Sequence, residues 1–322
     1  MENWKICGHS VGLGEKHQVM LGPNTPGCEM PATIINGAKP GKTVLITAAI
    51  HGDEYPGIAA AIKIAKEIDP ALVSGRIIIF SCVNTSGFWE RRSSVAEDNE
   101  NLNGNYPGRC DGTAGERIAD FFVRSIFPYI DFIIDLHSGS CMEPLTPCLF
   151  FPAGAGERVR KLSEAAAHAT DIPYLLASYA STGEYSYAAT VLGIPGLLLE
   201  RGHSGLCLSE WINAFQRDIR LLLQHLAVYP FDDTDGVCSK RVYNDTIYLS
   251  AEQTGLWYSN LSENKSICKN DVLGYMEDFY GNRIGEYRAL DNGRIFYYTA
   301  SLAVKKGQAL VAYGLEDQRE SQ

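Results

Sequence analysis

The stretch Lys42-Thr-Val-Leu-Ile-Thr-Ala-Ala-Ile50 is apolar and partly β-branched, and His51-Gly-Asp-Glu54 follows it directly. Pro40-Gly41 precedes the run and Gly52 follows it, a pattern typical of a buried strand. Apolar residues recur with helical spacing between Tyr55 and Ile68, which predicts a helix there. His51 and Glu54 therefore stand three residues apart where a strand passes into a helix, and side chains at that spacing can face one ion.

The His-x-x-Glu motif has two interpretations. In the first, it is a metal-binding pair in the crevice beyond the carboxyl ends of the strands, where open α/β sheets bind ligands. In the second, His51 caps the strand end and Glu54 occupies the first helical turn, where the helix dipole favours a carboxylate. A short motif alone does not distinguish these two interpretations, so the rest of the sequence has to decide between them.

Further buried strands alternate with helices along the first two thirds of the chain. The sequence predicts strands over 76–83, 131–139, 148–151 and 196–203, and helices over 113–127, 157–170, 184–192 and 208–229. This alternation favours a mostly parallel sheet that is covered by helices on both faces. Two of these strands carry His137 and Glu200 at their ends, so their side chains are expected to join His51 in one crevice.

The character of the sequence changes after the turn-rich stretch 230–236. Residues 240–315 show short alternating strands separated by Gly, Asn and Asp turns, which predicts a small all-β domain. We therefore divide the chain into an α/β domain over residues 1–235, with a β-rich lead-in, and a β domain over residues 236–322. Within the first domain, the polar segment 84–111 is predicted to be a long functional loop.

Composition narrows the choice of partners and compartment. With 28 Lys and Arg against 38 Asp and Glu, the net charge is −10, which argues against nucleic acid as a partner. The nine cysteines contain no C-x-x-C pair and suit a reducing, cytoplasmic compartment. No signal peptide and no membrane span are expected. A small-molecule substrate is the expected partner, and a homo-oligomer is left open.

Two histidines and one glutamate, His51, His137 and Glu54, form a known ligand class of catalytic zinc. Zinc lowers the pKa of a bound water and polarises a carbonyl, and a second carboxylate then carries the proton to the leaving amine. Glu200 is the candidate for that role, and the alternative is a structural ion pair with Arg201. Arg91 and Arg92 are candidates for stabilising a developing oxyanion, or else form a solvated pair.

Five motifs are similar to those of one known protein family: HGDE at 51, NLNGNYPG at 101, GTAGERIA at 112, DLHSG at 135 and LLLERG at 197. In this order they resemble the succinylglutamate desuccinylase/aspartoacylase family, a branch of the zinc carboxypeptidase clan. The resemblance covers most of residues 40–230. The tail with GQALVAYG at 307 looks like the C-terminal β domain of that family.

The resemblance implies a zinc-carboxypeptidase-like α/β fold with one zinc ion per chain. The ligands match His51, Glu54 and His137, and the general base matches Glu200. The oxyanion-stabilising arginine of the family falls at Arg92, with Arg91 as runner-up.

One position departs from the family pattern. The family reads Asn-Arg where this chain has Asn103-Gly104, and that arginine grips a substrate carboxylate in a fork that glycine lacks. Asn103 stays a candidate substrate-binding residue. Either Arg201 or Arg109 replaces the missing arginine, or the substrate has no carboxylate at that place.

The resemblance implies a zinc-dependent hydrolase of linear amide bonds that deacylates a small N-acyl amino acid or related N-acyl amine through attack of metal-bound water. A metallocarboxypeptidase acting on peptides is the first alternative. A non-catalytic, metal-containing protein that binds a ligand is the second. Neither the acyl group nor the amine follows from the sequence.

Overall fold

Nine strands form a single sheet in the computed structural model, which describes residues 3–231 and 236–316. The chain begins with β1 (Trp4–Ile6) and β2 (His9–Val11), which pair as a separate two-stranded antiparallel sheet. The strands of the large sheet are β3 (Glu15–Leu21), β4 (Met30–Asn36), β5 (Lys39–Ala48), β6 (Ser74–Phe80), β7 (Phe132–His137), β8 (Cys148–Pro152), β9 (Tyr174–Ser178), β10 (Gly196–Glu200) and β11 (Arg241–Tyr243). The strand order across the sheet is β11-β9-β8-β10-β7-β5-β6-β4-β3. Five of its eight strand pairs are parallel.

Helices cover both faces of this sheet. They are α1 (Tyr55–Glu67), α2 (Thr85–Glu90), α3 (Ala114–Phe121), α4 (Glu157–Ala169), α5 (Glu184–Thr190) and α6 (Ser209–His225). Short 3₁₀ turns span Pro70–Leu72, Leu102–Gly104 and Phe127–Tyr129, and a π-turn spans Phe122–Ile126.

Strand β5 shows why the central strands are apolar throughout. Val44 and Ile46 belong to the core on the face covered by α1, α4 and α6, whereas Leu45 belongs to the core on the face of α3 and α5. Because successive side chains alternate between faces, a strand covered on both sides needs apolar residues at every position. Each aliphatic side chain buried in this way contributes about 1.5–3 kcal/mol.

Residues 246–315 form the smaller unit. Its strands are β12 (Thr246–Ser250), β13 (Gly255–Ser259), β14 (Ser266–Ile267), β15 (Val272–Glu277), β16 (Arg283–Arg288), β17 (Gly293–Tyr298), β18 (Ala303–Val304) and β19 (Ala309–Leu315). They make two antiparallel four-stranded sheets, β12-β19-β17-β14 and β16-β15-β13-β18, whose inner residues share one apolar cluster.

The two units are joined by main-chain hydrogen bonds along residues 142–146. Ala300 donates to the Met142 carbonyl at 2.8 Å, and Tyr298 donates to the Pro144 carbonyl at 3.2 Å. Thr146 donates from its backbone N–H to the Phe296 carbonyl at 2.6 Å. These bonds fix the β unit against the segment that follows β7.

The predicted fold class is confirmed: a mostly parallel, helix-flanked sheet is followed by a smaller all-β unit. The predicted division at residue 235 stays a prediction, and residues 232–235 lie outside the described residues. Strand β11, beyond that boundary, pairs with β9 in the large sheet.

The segment 84–111 differs from the loop that the sequence predicts, because it contains α2. Asn84 caps the N-terminus of this helix, because its side-chain oxygen accepts the Gly87 N–H at 2.9 Å. Six residues are too few to show a helical period, so the apolar pattern could not reveal it.

Candidate active site

Three neighbouring strands end at the candidate site. Parallel pairing places Ala48 of β5 opposite Leu136 of β7, and His137 of β7 opposite Glu200 of β10. His51 and Glu54 follow the end of β5 in the turn that leads into α1. The carboxyl ends of β5, β7 and β10 therefore meet at one edge of the sheet, where α/β folds bind their ligands.

The HGDE turn is fixed by close packing and by the buried side chain of Asp53. A Cβ atom on Gly52 would lie 2.2 Å from the Gly87 carbonyl carbon, so only glycine fits there. Asp53 accepts hydrogen bonds from the Ser93 hydroxyl and the Cys141 N–H, both at 2.9 Å. This aspartate ties the turn to the 84–111 segment and to the loop after β7.

His51, Glu54 and His137 bring their ligand atoms together. All of these atoms lie within 4.8 Å of one another, and no other such group of three occurs among the described residues. His51 Nδ1 lies 2.8 Å from Glu54 Oε1, and His137 Nδ1 lies 3.1 Å from Glu54 Oε2. Two imidazole nitrogens and a carboxylate are donors that suit a divalent transition metal such as zinc.

The second nitrogen of each ring lies close to an oxygen atom of another side chain. His51 Nε2 lies 3.1 Å from Asn101 Oδ1, and His137 Nε2 lies 3.2 Å from Asp135 Oδ2. The Asn101 oxygen is an acceptor, so His51 can carry its proton on Nε2 and leave the Nδ1 lone pair for an ion. The contact between His137 and Asp135 is an ion-pair contact without hydrogen-bond geometry. The residues present therefore fit a bound metal.

Charge interactions within this group shift its titration. Burial opposes ionisation of Glu54, yet the adjacent His51 and His137 hold the pKa of Glu54 down at about 2. Burial also opposes protonation of His137, but Asp135 and Glu54 raise its pKa well above the usual histidine value. Protons therefore compete with a metal for the imidazoles, and metal binding is expected to release them.

Glu200 stands beside this group without being part of it. Its side chain lines the cavity, and its Oε2 is buried without a hydrogen-bond partner among the described residues. Burial raises the pKa of Glu200 well above the usual carboxyl range, His137 opposes the shift, and Glu54 adds to it. A carboxyl group with a raised pKa can accept and return a proton near neutral pH.

A cavity of about 620 Å³ opens over the site between the two units. On one side lie the carboxylates Glu54, Glu143 and Glu200 of the α/β unit, which we call the acidic wall. On the other lie Tyr297, Thr299, Ser301 and Gln308 of the β unit, with apolar neighbours, which we call the neutral wall. Among the described residues, no lysine or arginine lines this cavity.

Tyr297 is the titratable residue of the neutral wall. Burial raises the pKa of its phenol well above the usual value, and Tyr248 and Glu143 add to the shift. The hydroxyl therefore stays protonated and can donate a hydrogen bond into the cavity.

The predicted arginines lie away from the ligand group. The Arg92 guanidinium donates to Ser94 at 2.9 Å and to Asn99 and Glu90. Arg91 ends α2 with an exposed side chain and its backbone in the left-handed conformation. Neither side chain lines the cavity, so their assignment to the oxyanion stays a prediction.

The two candidate replacements for the missing arginine are bound elsewhere. Arg201 donates to the fully buried Asp218 and to the Asp171 carbonyl. Arg109 is 66% exposed and pairs with Asp111 at 3.3 Å. Neither lines the cavity, and nothing in the structure directs either side chain towards it.

Asn103 and Gly104 lie on the 3₁₀ turn after Asn101. The Asn103 Oδ1 is buried without a hydrogen-bond partner among the described residues. A Cβ on Gly104 would meet no atom within 4 Å, so a larger side chain fits there. The glycine is therefore not required by packing.

Sequence reasoning missed several residues that shape the site. Asp135 had a usable signal, because residues two apart in a strand face the same side and His137 is two positions on. Asn101 belongs to the NLNGNYPG motif, but only the fold places its side chain next to His51. Glu143 and Tyr297 had no signal, because one lies in an irregular segment and the other comes from the β unit.

Known proteins share sequence and fold with this chain. A sequence model of the succinylglutamate desuccinylase/aspartoacylase catalytic domain matches residues 40–226. The N-alpha-acetyl-L-2,4-diaminobutyric acid deacetylase of Halomonas elongata is 29% identical over 276 residues, which are 82% of this chain and 79% of that protein.

Solved structures share the fold. The product-bound ectoine utilization protein EutE of Ruegeria pomeroyi has a TM-score of 0.84 at 24% identity, covering 94% of this chain and 95% of that one. A succinylglutamate desuccinylase of Silicibacter sp. TM1040 has a TM-score of 0.81 at 24% identity, with the same coverage. Within residues 3–231 and 236–316, no helix has the length and apolar character needed to cross a membrane.

Proposed function

Because the chain belongs to the succinylglutamate desuccinylase/aspartoacylase family, we propose that it is a zinc-dependent amidohydrolase that deacylates a small N-acyl amino acid or related N-acyl amine. One observation carries the proposal: the ligand atoms of His51, Glu54 and His137 converge within 4.8 Å in a cavity that Glu200 also lines. The deacetylase relative, which acts on an N-acetylated diamino acid by its name, supports the same reaction class.

His51, Glu54 and His137 would hold one zinc ion. When bound, zinc lowers the pKa of a water molecule and polarises the acyl carbonyl. Asn101 orients the His51 imidazole, Asp135 Oδ2 lies 3.2 Å from His137 Nε2, and the Ser138 N–H holds Glu54 Oε2 at 3.1 Å. These contacts fix the ligands before substrate arrives, which limits the reorganisation needed during reaction.

Glu200 acts as the proton carrier. Its unpartnered oxygen accepts the proton of the attacking water and later donates it to the nitrogen of the leaving amine. Proton return to the amine matters because an amide nitrogen leaves poorly without it. The raised pKa of Glu200 keeps both directions of transfer accessible.

Negative charge on the carbonyl oxygen requires a hydrogen-bond donor. Arg92 is the residue that the family resemblance implies, and its guanidinium would have to leave Asn99 and Ser94 to reach the cavity. The Tyr297 phenol already lines the cavity as a donor. We therefore assign Tyr297 as the second candidate for this role.

The neutral wall argues against a peptidase that acts on extended chains, because residues of the β unit line the cavity beside the ligand group. A small acylated amine is the substrate that such a cavity admits. A purely binding protein would have no need for the unpartnered carboxyl of Glu200 beside the ligand group.

The test is amine release by the zinc-loaded protein from pairs of N-acyl compounds, one with a free α-carboxylate and one with that group amidated. Turnover of either member supports the proposal. Turnover of the carboxylate form alone would mean that another residue replaces the missing arginine. Tight binding of both members without any amine release would contradict a hydrolase.

A further inference from the structure

A second cavity, which we call the basal cavity, lies at the end of the large sheet opposite the candidate active site. It has a volume of about 150 Å³ and is lined by residues near the start of three strands: Lys42 of β5, Asp131 before β7 and Pro195 before β10. The carboxyl ends of the same three strands form the candidate active site. Strand β7 has six residues and therefore separates the two places by about 20 Å. A small molecule in the basal cavity is thus not bound to the metal-ligand group.

The floor of the basal cavity is apolar. Phe132, Pro195 and Leu226 line it as buried residues, and Leu162 of α4 lines it with a 43% exposed side chain. An apolar cavity of about this volume admits a group of the size of benzene. Covering such a floor removes apolar surface from water, which favours binding of a compact apolar group.

The rim of the basal cavity carries more positive than negative charge. Lys42, Arg158 and His225 are exposed lining residues. Neither the Lys42 ammonium nor the Arg158 guanidinium has a hydrogen bond or an ion pair with a described residue. The one lining carboxylate is Asp131, whose Oδ2 already accepts the Thr43 N–H at 2.8 Å. The rim therefore has one positive charge in excess even when His225 is neutral, although the whole chain has a net charge of −10.

The position of Arg158 is not explained by the stability of α4. Arg158 is the second residue of this helix, and the helix dipole disfavours a cation in the first turn. Arg160 of the same helix pairs with Glu164, four residues on, at 3.1 Å. The residue four positions after Arg158 is Leu162, which lines the basal cavity. A bound anion would supply the partner that the helix does not give Arg158.

His225 shows the same shortage of negative charge. Burial lowers the pKa of His225, and the positive charge of Lys42 lowers it further. Two basic groups therefore lie close enough to repel each other. An anion bound between them would offset this repulsion and would favour the protonated imidazole.

We propose that the basal cavity binds a small organic monocarboxylate, whose carboxylate contacts Lys42 and Arg158 and whose compact apolar group covers the floor. An arginine fork matches the two oxygens of a carboxylate. An inorganic anion would leave the floor uncovered, and a neutral apolar molecule would leave the two cations without a partner. Because this site uses none of the residues of the candidate active site, the proposal does not depend on the proposed function.

Calorimetry on the zinc-loaded protein tests the chemistry of the ligand. Benzoate is the probe, benzyl alcohol supplies the ring without the charge, and acetate supplies the charge without the ring. We expect benzoate to bind about 10-fold more tightly than either, because only benzoate satisfies both the rim and the floor. Equal affinities for benzoate and benzyl alcohol, or for benzoate and acetate, would overturn the proposal.

Variants place the probe in the cavity. Arg158→Gln and Lys42→Gln should each weaken benzoate binding about 3- to 10-fold and leave benzyl alcohol binding unchanged. Arg160→Gln is the matched control, because it removes one positive charge from the same helix outside the cavity lining, and it should keep the affinity for benzoate. Carboxylates also bind zinc, so benzoate binding that neither Arg158→Gln nor Lys42→Gln weakens would place the probe at the metal and overturn the proposal. An equal loss in Arg160→Gln would reduce the effect to general charge and overturn it as well.

NMR of the histidine side chains gives an independent measurement. The His225 imidazole signal is identified by its loss in His225→Gln, and its pKa is measured with and without saturating benzoate. A carboxylate bound beside Lys42 should raise the pKa of His225. An unchanged pKa of His225 at saturation would show that benzoate does not occupy the basal cavity.

Discussion

The acidic wall and the neutral wall line the same cavity but differ in origin and in chemistry. The acidic wall stands at and near the ends of buried parallel strands. Backbone N–H groups hold Glu54 and Glu143, imidazoles also contact Glu54, and Glu200 Oε2 has no hydrogen-bond partner among the described residues. The neutral wall stands on an antiparallel unit and offers a phenol, hydroxyls and an amide. Charge and proton transfer are thus concentrated on one side, while the other side limits shape and donates neutral hydrogen bonds.

The two walls also differ in how far the sequence could predict them. The apolar run before His51 and the runs before His137 and Glu200 identify strand ends, and strand ends converge in a parallel sheet. The residue pattern alone therefore suffices to place the ligand group and Glu200 together. Residues of the neutral wall reach the cavity only through the packing of β17 against residues 142–146, which no local pattern encodes.

The arginines show the limit of the resemblance. Motif spacing selects Arg92, but the guanidinium is bound by Ser94 and Asn99 instead of facing the cavity. Arg201 follows Glu200 directly, yet successive residues point to opposite sides of a strand, and its partner is the buried Asp218. The position of these arginines near functional residues in the sequence did not predict the direction in which their side chains point.

The largest expected effect comes from the acidic wall. Glu200→Gln removes the proton carrier and keeps the shape of the side chain, so kcat should fall about 10²–10⁴-fold. Zinc content, measured by metal analysis, should stay at that of the parent protein. A zinc-loaded variant with nearly full activity would remove Glu200 from the reaction and break the assignment of chemistry to this wall.

Tyr297→Phe asks whether the neutral wall takes part in the reaction. Loss of a donor to the developing oxyanion should lower kcat about 10²-fold with little change in KM. Arg92→Ala is the parallel variant for the residue that the family resemblance implies. A large loss of kcat in Arg92→Ala, with none in Tyr297→Phe, would assign stabilisation of the oxyanion to Arg92, which lies in the segment 84–111.

Gly104→Arg restores the arginine of the family pattern at a position outside the cavity lining, and it tests whether that side chain sets substrate class. Because a Cβ at this position meets no atom within 4 Å, the variant should fold with an unchanged melting temperature. KM should fall severalfold for N-acyl amino acids with a free carboxylate and not for their amides. A uniform change in KM across both sets would show that residue 104 does not contact the substrate.

The smallest effect concerns Glu184, a fully buried carboxyl group behind the acidic wall. Burial raises the pKa of Glu184 well above its usual value, and Asp135 adds to the shift. The folded state therefore favours protonated Glu184, and its stabilising contribution is lost as pH rises above about 4.3, the unfolded value. Glu184→Gln removes this loss.

Urea unfolding of the parent and Glu184→Gln proteins between pH 5 and pH 8 measures this pH-dependent loss of stability. As the pH rises, the free energy of unfolding of the variant should increase relative to that of the parent, by at most about 1.4 kcal/mol per pH unit. Two curves that stay parallel over this range would show that Glu184 does not titrate differently on folding.

The measurement closest to the central claim is a zinc titration of metal-free protein, with amine release from N-acetyl-1,4-diaminobutane followed at each addition. If His51, Glu54 and His137 form the catalytic centre, the rate should rise linearly and stop at one equivalent of zinc per chain. His137→Ala should lose both the zinc and the rate. Full activity in the metal-free protein, or in a zinc-free His137→Ala variant, would contradict the account.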